Sequence, residues 1–188
     1  MTANHVMLDL ETWGIKPGCA LRSIGAVAFD PYTKEIGPTF YRNIDRSSCE
    51  GAGLIVEHAT EEWWRAQSRE NPRAVTALHD EPQLHLRAVA ADFNAWWKGI
   101  SAEFVWSHGA NFDEVIWRVA VEAAHFSVPW NYRNVRDTRT LFWLTSTDPK
   151  ELPFVGVQHY ALDDALNMAR AIQIAMTVLP TITAFRAA

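Results

Sequence analysis

The hydrophobic and polar positions change their period once along the chain, near residue 45. Before it, the pattern is that of strands. Residues 5–11 (HVMLDLE) predict a first strand and residues 21–29 (LRSIGAVAF) a second. Asp30-Pro31 opens a short turn, and residues 38–44 (PTFYRNI) predict a third strand. Three strands on short connections imply an antiparallel meander.

After residue 45 helical spacing dominates. Thr60 is the expected N-cap of a helix over 60–67, with Glu61 and Glu62 in its first turn, where the helix dipole favours anions. A second helix begins at Asn71-Pro72, with proline at the first helical position. A third spans 83–98 and ends near Gly99. Residues 103–107 (EFVWS) predict a short buried strand, 112–126 a helix, 133–137 a strand and 138–144 a short helix. The last long helix covers 161–178 and stops before Pro180. Strands followed by alternating helices and strands predict an α/β fold, a mixed sheet with helices on its faces.

Composition narrows the class. The chain has 188 residues, which fits one domain over 1–188. It is 48% hydrophobic and 21% charged, the balance of an ordinary globular protein. No apolar run is long enough to span a bilayer, and no basic segment precedes an apolar one at the N-terminus. Cys19 and Cys49 form no CxxC pair, so a reduced, cytoplasmic setting is expected. The net charge of −5 argues against a protein that coats duplex nucleic acid through a broad basic face. It leaves room for an enzyme that holds a strand end over bound cations, which reverse the local field.

Three separated segments carry the chemistry. On the first strand, Asp9 and Glu11 lie two apart and project from one face, while Val6, Leu8 and Leu10 project from the other. Two carboxylates on such a face need a partner, and hard oxygen ligands suit Mg²⁺ or Mn²⁺. Alone, the pair fits a wet edge strand equally well. In the second segment Asp113 begins a helix, on one stripe with Ile116, Trp117, Ala120 and Ala124. Glu114 heads a stripe with Arg118 and Glu122, so Asp113 is expected inward and Glu114 outward. A bland helix-capping role for Asp113 is the alternative. In the third, Asp164 shares a stripe with Met168, Ala171 and Ala175, and Asp163 one with Asn167 and Arg170. Asp164 is therefore the inward acid, and His159 stands just before its helix. Four inward acids and one histidine are the set for a two-metal site, in which carboxylates hold cations about 3.5–4 Å apart. A neutral imidazole is suited to take a proton from water.

With these residues assembled, the chain resembles the DnaQ-like, or DEDDh, 3′–5′ exonucleases, which have a ribonuclease H-like fold. Asp9-x-Glu11 followed by Thr12 is similar to their first motif, Asn111-Phe112-Asp113 to the second, and His159-x-Ala161-x-x-Asp164 to the third. The three motifs are in order and span nearly the whole chain. The resemblance implies Asp9, Glu11, Asp113 and Asp164 as ligands of two divalent cations, Mg²⁺ or Mn²⁺, and His159 as general base. It implies Thr12, Trp13 and Gly14 as the segment that receives the terminal nucleotide, although Trp13 stands where relatives often have a small or apolar residue. The stretches 62–68 (EWWRAQS) and 136–140 (RDTRT) resemble a smaller branch of phage DexA-type and RNase AS-like exonucleases.

Nine tryptophans are many for this length. Trp13, Trp63 or Trp64 is expected to wall the nucleotide pocket by stacking on a base. Trp96, Trp97, Trp106, Trp117 and Trp143 are expected to be packing residues. Asp137 is expected to cap a helix, His108 is the alternative base, and Arg136 and Arg139 are candidate phosphate contacts. The expected activity is stepwise hydrolysis from the 3′ end of single-stranded DNA or RNA, with 5′-mononucleotides released and DNA slightly favoured on the phage-type stretches. The alternatives are an exoribonuclease and an inactive nucleic-acid-binding module of the same fold. By analogy with relatives, a homodimer is expected.

Overall fold

The protein, a computed structural model, is described over residues 4–76 and 81–179. The strands β1 (His5–Thr12), β2 (Leu21–Phe29) and β3 (Ile36–Ile44) form the expected antiparallel meander. The chain continues through α1 (Arg46–Gly51), α2 (His58–Glu70), α3 (Pro72–Thr76), β4 (Gln83–Leu84) and α4 (Leu86–Gly99). It then forms β5 (Phe104–Ser107), α5 (Asp113–Ala123), β6 (Val135–Asp137), α6 (Thr138–Thr145) and α7 (Ala161–Val178). The sheet runs in the order β4-β3-β2-β1-β5-β6, with β5 parallel to both β1 and β6, and β4 parallel to β3. No helix among the described residues is long and apolar enough to cross a membrane.

Register explains how the sheet carries carboxylates. On one face Leu8 lies opposite Ala26 and Leu10 opposite Ile24. These side chains join Val6, Phe93 and Trp97 of α4, and Ile116 and Trp117 of α5, in one buried core. The other face pairs His5 with Phe29, Met7 with Val27, Asp9 with Gly25 and Glu11 with Ser23. Its first half is apolar and is covered by Ala165, Ala169 and Ile172 of α7 and by Leu141 and Phe142 of α6. Its second half sets the two acids opposite glycine and serine, so no bulky side chain of β2 stands beside them. Gly25 has a specific use: a Cβ there would run into the backbone of Ala161. Absence of a side chain brings the first turn of α7 down onto the sheet beside Asp9.

Several predicted boundaries move. The helix expected over 60–67 begins at His58, with Glu57 as N-cap rather than Thr60. Glu57 makes no side-chain capping bond; its N–H donates to the Trp13 carbonyl at 2.7 Å, so a long-range contact sets the start. Residues 83–84, expected to be helical, pair with β3 instead, and α4 starts after His85, whose ring nitrogen caps it. Helix α1 has no counterpart among the expected elements, although Asp45 accepts from the N–H groups of Ser47 and Ser48 as a good N-cap does. The last helix matches its expected range, and Pro180 lies outside the described residues.

Two side-chain expectations are corrected. Glu114 is not solvated: it is buried, accepting from Trp130 Nε1 at 2.7 Å and from Arg118. The segment after α5 folds back and covers it. Trp143 is not a packing residue but is 78% exposed, whereas Trp97, Trp106 and Trp117 are buried as expected.

Candidate active site

The three chemistry-bearing segments meet at the C-terminal half of β1. They line a cleft of about 630 Å³ that also exposes Trp63, His108 and Arg139. Each acid is placed by a different device. Asp9 and Glu11 come from strand alternation. Asp113, the first residue of α5, is buried; its carboxylate accepts from Leu10 N–H at 3.3 Å and His108 N–H at 3.2 Å, tying it to β1 and to the loop after β5. Asp164 lies in the first turn of α7. His159 precedes that helix with a left-handed backbone, φ 63°.

The electrostatics are those of an under-neutralised cluster. Asp9 is pushed well above the usual carboxylate range, first by burial and then by Asp113, Glu11 and Asp164. Glu11 is likewise raised by burial and by Asp164, with the Arg22 guanidinium pulling the other way. Burial raises Asp113 to about 7 despite its two backbone hydrogen bonds, and raises Asp164 to about 7 despite the His159 N–H. Burial lowers His159, so its imidazole is neutral near pH 7. Ligand atoms of Glu11, His159 and Asp164 all lie within 4.8 Å of one another. Four carboxylates converging on one cleft, each raised in pKa, are held at a cost that a divalent cation would relieve. The donors are mainly hard oxygens, which fit Mg²⁺ or Mn²⁺.

The expected nucleotide-binding residues separate. Trp63 lines the cleft, 40% exposed, with its ring edge-on to His159 at 5.0 Å. Trp64 also reaches the cleft but is buried; its Nε1 donates to the Thr12 carbonyl at 2.9 Å, and Arg22 lies over its ring at 3.8 Å. Thr12 lines the cleft, with its hydroxyl bonded to the Gly14 carbonyl. Trp13 and Gly14 are not among the lining residues. Trp13 lies against the guanidinium groups of Arg22 and Arg46, and Gly14 packs on Cys19 and Glu57.

The remaining candidates divide as well. Asp137 caps α6 as expected and also accepts from Gly109 N–H. Arg139 reaches the cleft, whereas Arg136 donates to the carbonyls of Arg133 and Val135 and lies over Phe104. His108 is at the cleft, but its Nδ1 is engaged with Thr138 Oγ1 at 2.9 Å. Asp163, on the stripe with Asn167 and Arg170, is partly buried and accepts from Val157 N–H. Ile15, Phe112 and Met168 also line the cleft. Sequence reading named Phe112 only as part of the second motif and did not single out Ile15, since nothing in a lone apolar loop residue marks it as a contact.

Residues 4–176 match the family model described as the 3′–5′ exoribonuclease Rv2179c-like domain. The chain belongs to this family. It is a 3′–5′ exonuclease. Solved structures support the ribonuclease H-like fold. The nuclease domain of 3′hExo, a DEDDh family member bound to rAMP, superposes with a TM-score of 0.59 at 14% identity, covering 92% of this chain and 91% of that one. A full-length 3′-exonuclease gives 0.59 at 12%, covering 92% and 81%. The zinc-bound complex of E. coli ExoI with single-stranded DNA gives 0.60 at 11%, covering 98% of this chain but 42% of that one. No curated protein matches. Gly25 and Arg22 are further positions that motif reading missed. Gly25 admits α7 to the sheet, and Arg22 is the cation that faces Glu11.

Proposed function

We propose that this protein removes 5′-mononucleotides one at a time from the 3′ end of single-stranded nucleic acid, using two divalent cations held by Asp9, Glu11, Asp113 and Asp164. The observation that carries the reading is the convergence of four mutually repelling carboxylates in one cleft beside a neutral histidine. When bound, the cations neutralise the acids, lower the pKa of water and offset charge on the departing 3′ oxygen. The protein's own groups do the rest. His159 accepts the proton of the attacking water, which its depressed pKa allows at neutral pH. Trp63 stacks on the terminal base, an interaction worth roughly 1–3 kcal/mol that does not select sequence. Arg139, the one Lys or Arg among the described residues that line the cleft, takes a backbone phosphate of the strand.

RNA is the preferred substrate on this reading. The family description, matched over residues 4–176, names an exoribonuclease, and it outweighs the two short stretches that lean towards DNA. Equal-sequence 5′-labelled RNA and DNA, incubated with Mn²⁺ or Mg²⁺, test the whole proposal. A one-nucleotide ladder from the 3′ end is expected, faster on RNA. It should stop with EDTA and with Asp9→Ala, and slow by about 10²–10⁴-fold with His159→Ala. Retention of the strand without cutting would instead indicate a binding module.

A further inference from the structure

The segment 153–159, which ends in His159, has little to hold it in place. Pro153 through Gly156 are exposed, Phe154 and Val155 among them. Within 153–160 the described main-chain hydrogen bond is Tyr160 N–H to the Val157 carbonyl, at 3.2 Å. The imidazole itself makes no hydrogen bond among the described residues; it rests edge-on against Trp63 and Trp64. The position of the ring is therefore inherited from the loop backbone. That backbone includes a non-glycine residue in the left-handed region, His159 itself, which persists only where its surroundings hold it.

What holds it is a set of side chains. Asn167, one turn beyond Asp164 on α7, grips Val155 from both sides: Oδ1 accepts its N–H at 2.9 Å and Nδ2 donates to its carbonyl at 2.8 Å. The same Nδ2 donates to the Asp163 carbonyl at 2.7 Å. The Asp163 carboxylate accepts from Val157 N–H at 2.8 Å. From the far side, Asn71 donates to the Gln158 carbonyl at 3.0 Å. Gly156 lets the loop close on Asp163: its φ is 107°, and a Cβ there would collide with the Asp163 carboxylate. Asn167 and Asp163 do not line the cleft.

We propose that Asn167 and Asp163 are positioning residues for His159, latching loop 153–159 to α7 so that the helix carrying Asp164 also sets where the imidazole stands. This rests on the reading of His159 as proton acceptor. It predicts that losing the latch lowers turnover and leaves cation and strand binding intact, because misplacing a reacting group acts on the chemical step.

The test is steady-state kinetics on a 5′-labelled oligonucleotide with Mn²⁺, together with calorimetric Mn²⁺ binding. The proteins are wild type, Asn167→Ala, Asp163→Ala, Asp163→Asn, His159→Ala and the double variant His159→Ala with Asn167→Ala. Asn167→Ala should lower kcat about 10- to 100-fold, with KM and Mn²⁺ affinity within about twofold. Asp163→Asn keeps an acceptor for Val157 N–H and should recover most of what Asp163→Ala loses. In the His159→Ala background, Asn167→Ala should add little, since the ring it positions is gone. An equal loss in both backgrounds, or loss of Mn²⁺ binding in Asn167→Ala, overturns the latch while His159 keeps its role. Wild-type kcat in His159→Ala overturns the proton-acceptor reading and the latch with it. Should Asn167→Ala not fold, Asn167→Asp, which keeps an acceptor for Val155 N–H, carries the same comparison.

Discussion

Trp63 and Trp64 are neighbours in the chain, and the helix turns them to different uses. Trp64 is buried under Arg22 and bonded to the Thr12 carbonyl. Trp63 is exposed at the cleft mouth. Trp64→Ala should therefore destabilise the fold by about 3–5 kcal/mol, read as the shift in a urea transition. Trp63→Ala should leave that transition within about 0.5 kcal/mol. It should raise KM for a short oligonucleotide about 10-fold, as the loss of one stacked base requires. An unchanged KM removes Trp63 from the pocket wall. Side-chain direction was legible wherever a local period decides it: Asp9 and Glu11 by strand alternation, Asp113 by its apolar stripe. It was not legible for Glu114. Counting along the helix grouped it with Arg118 and Glu122, but its cover is Trp130, sixteen residues on and in no local pattern.

Among the elements, the contact between β2 and α7 decides whether the site assembles. Gly25 sits opposite Asp9 in register, and the Ala161 backbone occupies the place a side chain would take. Gly25→Ala should push the first turn of α7 off the sheet, moving His159 and Asp164 away from β1. A loss of activity of about 100-fold or more is expected, with a destabilisation of about 1–3 kcal/mol. Circular dichroism should show the secondary structure retained. Full activity in this variant would mean that α7 need not approach so closely. The range of α7 could be read from the sequence to the residue. The six residues of α1 and the two of β4 carry too little period to register, and the start of α2 depends on the distant Trp13 carbonyl.

At the scale of the whole molecule, the acid cluster couples folding to pH and to cations. Asp113 and Asp164 stand near 7 against an ordinary value of 3.8, so the folded protein binds protons there more tightly than the unfolded chain does. Their favourable contribution is complete below about pH 4 and is lost as pH rises through about 7. The cation-free protein should thus lose melting temperature between about pH 5 and pH 8, and saturating Mn²⁺ should restore it most at the higher pH. Asp9→Asn removes one of the repelling charges. In EDTA at high pH it should melt above wild type, although it should not cut. A melting temperature indifferent to both Mn²⁺ and Asp9→Asn would mean the acids carry no such strain.

The most direct measurement is anomalous scattering from a crystal of the protein grown with Mn²⁺ and a nucleoside 5′-monophosphate. Two manganese peaks about 3.5–4 Å apart are expected, enclosed by Asp9, Glu11, Asp113 and Asp164. An active enzyme whose crystals show no manganese among these four carboxylates would contradict the account.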